Sequence, residues 1–554
     1  MTTTVARKSA APALGLLPLG LLLLVFFIWP VVTLLGLSFG QDGFTLEHYR
    51  HLVDVPVYRA VLVNTFTISA MVTALCVLLS YPLAYLMATV SPRVLRLLLL
   101  AVVLPFWTSA LVRTTAWIVI LQRNGVLNEI LVGSSLLSQP LPFVYNLSGV
   151  LIGMTHVLMP FVVLPLFAAF RSVDRSVVQA AESLGAGPVR IFFKILLPLT
   201  APGVLAGATI VFMNSIGYYI TPSLMGGPGQ TMIAQMIDFN ISKQLNWGLA
   251  SALAVVLLVS TLIVFFLFQK VFGLDRLMAP GGSGRAGESF AGKAKQRSMG
   301  GRATVVAGIL VAVFLILPIL FVFPMSLGAS PFLRFPPEEY SLTWYRNFFS
   351  NAKWLTALLN SLKVAAIAVT LSIAFGTAAA IALNRVDSRF RKAIETYFLL
   401  PMIIPTIIVG VGLFYFLAPF GLIGGALGLG LGHAVLASPY VFLTVRAAVQ
   451  GFDTNLEQAA VGLGASWPMM FRRVMLPAIA PGIAAGAVFA FITSFDDVVL
   501  AIFLTNVRSR TLPKLMYEGV AHEIDPTIIA ASGLIILLTV FTLGLNMILT
   551  RRSQ

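Results

Sequence analysis

Twelve strongly apolar stretches alternate with short polar segments along the chain. They lie near 14–38, 61–88, 97–121, 148–170, 202–223 and 248–272, then 304–327, 357–383, 394–417, 433–449, 482–504 and 528–549. Most reach the roughly 20 apolar residues with which a helix crosses about 30 Å of hydrocarbon, and 433–449 is marginal. The pattern predicts an all-α, polytopic membrane protein of about 12 transmembrane helices. Between the sixth and seventh stretches, Ala279 to Gly301 is rich in Gly, Ser, Lys and Arg and reads as a flexible linker. The organisation expected is a first six-helix half at 1–278, a cytoplasmic linker at 279–303 and a second six-helix half at 304–554. The first stretch follows Arg7-Lys8 like a signal peptide, but it is too long and lacks a small-residue cleavage site, so it is kept as a helix.

One polar device occurs twice between these stretches. Gln179-Ala180-Ala181-Glu182-Ser183-Leu184-Gly185 recurs as Gln458-Ala459-Ala460-Val461-Gly462-Leu463-Gly464. Each copy then runs nine residues to a closing motif, Ile195 to Pro198 and Val474 to Pro477, so Leu197-Pro198 pairs with Leu476-Pro477. The same offset carries Ala480-Pro481-Gly482 onto Ala201-Pro202-Gly203. Earlier in the halves a second offset pairs Asn64 with Asn360, Arg93 with Arg389 and Leu104-Pro105 with Leu400-Pro401, so the first half carries extra residues around Arg123 to Leu147. An internal repeat this long implies two related halves. Arg171, Arg175, Arg190 and Lys194 charge the first copy, and Arg446, Arg472 and Arg473 the second.

Composition agrees: 58% of residues are hydrophobic and 10% charged, with a mean hydropathy of +0.95. The net charge of +16 does not indicate nucleic acid, because the basic residues are scattered between apolar stretches and form no single patch. It indicates topology. A cytoplasmic N-terminus puts about two thirds of the Lys and Arg in inner segments, including Arg551-Arg552, as the positive-inside rule requires. An even number of helices per half then makes the halves parallel, with both repeat copies and both termini in the cytoplasm. Cys76, the single cysteine, sits in an apolar run and offers neither a disulfide framework nor a cysteine metal site.

At the repeated motif the chain resembles the membrane subunits of bacterial ABC importers, whose signature is Glu-Ala-Ala, three residues, Gly, nine residues, Ile-x-Leu-Pro. The resemblance covers nearly the whole chain. Gln179 and Gln458 replace the initial Glu, and Val474 replaces Ile in the second copy. The resemblance implies a type I importer permease fold with two coupling helices, at Gln179, Ala180, Ala181, Gly185, Leu197, Pro198 and at Gln458, Ala459, Ala460, Gly464, Leu476, Pro477. These would dock two copies of a cytoplasmic ATPase subunit. Paired alanines let a helix approach a partner closely, and Gly185 and Gly464 can end it. Tyr218 to Pro228 is similar to the first permease subunit of spermidine/putrescine importers, and Ser494 to Val499 to the second. The implied solute is a polyamine; the wider group imports iron(III), thiamine, opines and aminophosphonates. Specificity would come mainly from an external binding protein, with Tyr49, Arg59, Trp344, Tyr345 and Arg346 on outer loops as candidate docking residues.

Ionisable residues inside spans are costly and mark pathways or partners. Asp496 and Asp497 lie about 15 residues beyond Pro481, roughly 22 Å along a straight helix. Arg113 falls at similar depth by the same arithmetic. Offset mapping puts Asp496 and Asp497 on Gly217 and Tyr218, and Arg113 on Val409, so repeat symmetry breaks at the candidate pathway: Arg113, Tyr218, Tyr219, Asp496 and Asp497. Two carboxylates with Tyr218 and Tyr219 suit an ammonium through charge pairing and cation–π attraction. Arg113 instead suits an anion, or a structural bridge to either Asp. Tyr218 and Tyr219 also read as interfacial packing residues. His156 and His433 lack a second ligand at metal spacing and read as polar packing or pore lining; no metal site is expected.

Gly287 to Ala294 nearly spells a phosphate-cradling loop, but Ala294 replaces the magnesium-binding Ser or Thr and no apolar strand precedes it. The chain is thus expected to bind no cofactor and to catalyse nothing, with ATP and Mg used by the partner ATPase. An ion-coupled secondary carrier also uses six-helix repeats, but it predicts acids spread through the core. A membrane scaffold without a pathway leaves the paired motifs unexplained.

Overall fold

A computed structural model of the chain describes residues 14–40, 43–272, 299–331, 335–386, 389–522 and 525–551. Most of the expected linker, the Gly287–Ala294 segment and Arg7-Lys8 lie outside the described residues. The helices used below begin with α1 (Leu17–Leu37), α2 (Pro56–Thr89), α3 (Pro92–Trp107), α4 (Ala110–Leu121), α5 (Leu147–Leu158) and α6 (Pro160–Ser172). Next come α7 (Arg175–Ser183), α8 (Leu197–Ile216), α9 (Ile220–Met225), α10 (Ile233–Ser242) and α11 (Trp247–Phe272). The second half carries α12 (Met299–Ser326), α13 (Ala352–Arg385), α14 (Arg391–Leu399), α15 (Thr406–Leu417), α16 (Ala426–Gln450) and α17 (Thr454–Gly462). It ends with α18 (Leu476–Asp496), α19 (Val499–Leu504), α20 (Leu512–His522) and α21 (Thr527–Arg551). No strand occurs among the described residues.

Among the described residues, eight helices are long and apolar enough to cross a membrane, and eleven if each of three bent pairs is one span. α21 occupies the twelfth expected position. Pro105 lies inside α3, and the chain leaves the helix after it, at Thr108 and Ser109 with ψ 149° and 131°, where the run from α3 into the α4 segment turns by 103°. The matching Pro401 and Pro405 accompany an 89° turn between α14 and α15. Arg113 therefore sits near the start of a separate helix, and its depth cannot be counted along one straight span.

Proline also shapes three π-helical turns. Trp29, Leu197 and Leu476 each donate their N–H to the carbonyl five residues back, on Leu24, Phe192 and Phe471. Each is followed by proline: Pro30, Pro198 and Pro477. The ring cannot donate and collides with the carbonyl four residues earlier, and the wider turn moves that carbonyl aside. Leu197-Pro198 and Leu476-Pro477 thus fix how the chain re-enters its long helices.

The described chain divides into two compact units that cut across the sequence halves. One joins Met1–Leu37 to Phe349–Glu518 and Leu537–Gln554, so α1 packs with helices of the second half. Within it Tyr397 donates to the Gly20 carbonyl at 2.8 Å, Phe26 meets Phe416 edge-on, and a Cβ on Gly412 would lie 2.9 Å from the Pro30 carbonyl oxygen. The other unit joins Ser38–Phe348 to Gly519–Ile536, so α12 packs with helices of the first half. There Gly308 presses on Leu86 and Pro82, and Phe314 packs on Trp117.

Each unit also contains the same glycine seam. On α8, a Cβ at Gly203 would come within 2.6 Å of Ala169, and one at Gly207 within 2.7 Å of Val162. On α18, Gly482 stands against Ala448 at 2.6 Å and Gly486 against Thr444 at 2.7 Å. Small residues four apart let helix backbones approach where lipid supplies no hydrophobic drive. Gly207→Leu or Gly486→Leu is therefore expected to lower the thermal midpoint in detergent by roughly 5 °C or more, because overpacking costs about 1–3 kcal/mol. Gly36→Leu, with no atom within 4 Å of the added carbon, serves as the control and should leave the midpoint unchanged.

Candidate functional site

The repeated motif folds into matching helices, α7 and α17. Asp174 caps α7 by accepting the Ser176 N–H at 2.9 Å, and Asp453 caps α17 by accepting the Asn455 N–H at 2.9 Å. Both end in the same two-bond cap: Gly185 and Ala186 donate to the Glu182 and Ala181 carbonyls, and Gly464 and Ala465 to those of Val461 and Ala460. Gly185 has φ +77° and Gly464 φ +82°, with open space around both. The glycines are thus required by backbone conformation and not by crowding.

Gln179, Ala180, Gln458 and Ala459 are exposed, while Ala181 and Ala460 are half-buried. Leu184 and Leu463, the last residues before each glycine, are 88% and 90% exposed. Leu184 and Leu463 thus occupy equivalent exposed positions at the ends of the two capped helices. The helices are anchored differently. Val178, Ala181 and Ala186 pack on the apolar cluster of Ala84, Ala88, Phe170 and Leu196. In the second copy the Arg385 guanidinium donates to both Glu457 oxygens at 2.9 and 3.0 Å. That half-exposed pair is worth about 0–1 kcal/mol.

The stretches expected as unbroken helices over 202–223 and 482–504 are interrupted. α8 ends at Ile216, is capped at Gly217 and is followed by the short α9; α18 ends at Asp496, is capped at Asp497 and is followed by α19. The helix leading to Asp496 runs unbroken from Trp467 through Pro481, and the two aspartates lie at its end, at a helix break. Apolar periodicity carried the sequence reading through both breaks, because Tyr218, Tyr219 and Val498 continue the hydrophobic run.

In the first-half unit, Arg113 is buried, with Nε 3.4 Å from the Ser109 carbonyl and Nη1 3.5 Å from that of Val157. Thr114 and Thr221 share a 3.0 Å hydroxyl hydrogen bond between α4 and α9. Tyr218 packs on the unit's apolar core, and buried Tyr219 donates to Asp238 on α10 at 2.8 Å. His156 lies 3.0 Å from the Leu315 carbonyl and meets Trp117 and Phe314 edge-on, as a packed polar residue.

In the other unit, Asp497 accepts the Leu500 N–H on Oδ1 at 2.8 Å, which caps the start of α19. The same oxygen lies 3.4 Å from Nε2 of His433 on α16, and His433 Nδ1 lies 2.8 Å from Ser494 Oγ. His433 is 1% exposed. Asp496 is half-buried at the end of α18. Lys514 on α20 holds the far end of α19, its ammonium donating to the Ile502 and Thr505 carbonyls at 3.1 Å and to Thr505 Oγ1 at 2.9 Å. Burial pulls the Lys514 ammonium below its usual range, with Glu518 opposing and Arg510 adding. Neither Lys514, Asp238 nor the His433 pairing was singled out from sequence. The three-residue spacing of Ser494 and Asp497 was visible, but its histidine partner is fixed only by tertiary packing.

Of the candidate docking residues, Arg59 and Arg346 are exposed. Tyr49 and Tyr345 instead hold their loops, sharing 2.7 Å hydrogen bonds with Ser38 and Ser326. Among the described residues, no three of His, Cys, Asp and Glu gather as a metal site.

Across residues 64–273 and 372–554 the chain matches the family described as binding-protein-dependent transport system inner membrane component. It is 34% identical over 258 residues to the spermidine/putrescine transport system permease protein PotB of Haemophilus influenzae, covering 45% of this chain and 89% of that one. It is 31% identical over 220 residues to PotC of the same organism, covering 39% and 84%. A longer match, 28% identical over 419 residues, joins 73% of this chain to 72% of the probable ABC transporter permease protein y4fN of Sinorhizobium fredii.

Gly185→Val and Gly464→Val should each destabilise their caps by about 1–2 kcal/mol, because a branched residue resists the left-handed conformation. Amide exchange of Ala186 or Ala465 is expected to quicken by about tenfold, with the membrane helices unchanged.

Proposed function

The chain belongs to the binding-protein-dependent transport inner membrane components, and from that premise we propose that it carries a polyamine inward across the membrane. It is a multi-pass transport permease of the ABC importer class, in which both halves match the family model. The observation that carries the solute reading is the pair Asp496 and Asp497 at the break between α18 and α19, without carboxylates at the matching Gly217 and Tyr218. A carboxylate pair in a low-dielectric setting favours an ammonium far more strongly than it would in water. The likeness to permeases named for spermidine and putrescine supports the same choice. Tyr218, Tyr219 and Arg113 are kept as pathway candidates of the first half, Arg113 as a group that repels cations.

In this reading the repeats are the halves 1–278 and 304–554, joined by a cytoplasmic linker at 279–303, with both termini cytoplasmic. α7 and α17 would each seat one ATPase subunit, with Leu184 and Leu463 entering its groove. ATP and Mg would be bound there and not by this chain. A binding protein outside the membrane would deliver the solute.

Two measurements test these roles. Gly185→Leu with Gly464→Leu is expected to reduce co-purification of the ATPase several-fold while membrane insertion persists; equal co-purification would reject the seating role. Asp496→Asn with Asp497→Asn is expected to cut uptake of radiolabelled spermidine by about tenfold or more, the equivalent of about 1.4 kcal/mol, normalised to folded permease. Unchanged uptake in the well-folded double variant would overturn the cation assignment and direct the search to anionic solutes.

A further inference from the structure

The two halves differ at one buried polar cluster, and the difference follows the carboxylate. In the second half, His433 from α16 sits between Ser494 and Asp497, residues one turn apart, with its two ring nitrogens 2.8 Å from Ser494 Oγ and 3.4 Å from Asp497 Oδ1. The offset that aligns the repeated motifs puts Met154, Ser215 and Tyr218 at these positions in the first half. Ser215 is kept there, and its buried hydroxyl has no hydrogen-bond partner. The serine is therefore common to both halves, whereas histidine and aspartate occur together in one.

We propose that His433 is a positioning residue that fixes the Asp497 carboxylate for solute passage; the inference rests on the cation role of Asp497 argued above. Oδ1 accepts the Leu500 N–H at 2.8 Å and lies 3.4 Å from Nε2, which makes no hydrogen bond and faces the carboxylate by proximity alone, and no hydrogen bond among the described residues engages Oδ2. Restraining one oxygen sets the carboxylate plane and leaves the other to meet an ammonium. Ser494 in turn orients the ring, since a hydroxyl on Nδ1 selects which edge Nε2 presents. The ring is buried, so it contributes by orientation and not by exchange with solvent.

The amide side chains separate this role from packing. Gln places an N–H close to where Nε2 stands, whereas Asn reaches only as far as Nδ1 and so keeps Ser494 but loses Asp497. His433→Gln is expected to retain at least half of spermidine uptake in proteoliposomes containing the complete transporter. His433→Asn and His433→Leu should lower uptake about five- to tenfold, with thermal midpoint and binding-protein-stimulated ATPase kept, so that solute moved per ATP falls. Adding Asp497→Asn to His433→Leu should cause no further loss beyond Asp497→Asn alone, because both act through one carboxylate. Multiplicative losses, or equal uptake by the Asn and Gln variants, would overturn the positioning role. A parallel fall in ATPase and uptake would do the same, by making His433 a general structural residue. If Asp497→Asn alone leaves uptake intact, the cation reading fails first and separately.

Discussion

Hydrocarbon offers no partner for a backbone amide or carbonyl, and the break between α18 and α19 answers that constraint with side chains. A span that stops inside the membrane exposes up to four carbonyls, and the helix that follows exposes four amides. The sequence provides local substitutes. Asp497 takes an amide at the start of α19, and Lys514 takes carbonyls at its end. Where proline removes a donor, the chain widens into a π turn and shifts the hydrogen-bond ladder by one residue. Asp497, which caps the start of α19, is also the carboxylate proposed to meet the solute.

This double use explains why the halves have diverged where they have. The glycine seam, the capped motif helices and the proline-led π turns recur at matching positions, because each answers a packing or backbone requirement common to both halves. The ends of the two broken spans answer to something else. One presents a tyrosine tied to Asp238, the other an aspartate tied to histidine. A fused chain permits this, since each half can change without altering the other.

Much of this architecture is legible in sequence. Hydrophobic runs locate all twelve helical positions, and the repeat locates both motif helices with their terminal glycines. The breaks after Ile216 and Asp496 are not legible, because Gly217-Tyr218-Tyr219 and Asp497-Val498 interrupt the helix without interrupting the apolar pattern. Arg113 and Asp496 stand out as charges in apolar surroundings, yet the depth of Arg113 cannot be counted across the bend between α3 and α4. His433 read as ordinary packing because its role depends on α16 meeting α18, and no periodicity encodes which helices meet. The same limit hid the exchange of α1 and α12 between compact units.

That exchange bears on how the protein is made. α1 is synthesised before the helices that Phe26 and Gly20 contact, which are encoded far downstream, beyond Ala352. At roughly 5–20 residues per second, the roughly 300 intervening residues take on the order of 15–60 s to appear. Throughout that interval α1 must persist as a solitary helix in lipid. Each half of the sequence taken alone lacks one helix that packs in its compact unit. Fusion into one polypeptide guarantees that the waiting helix and its late partners arrive in equal number and in the same membrane.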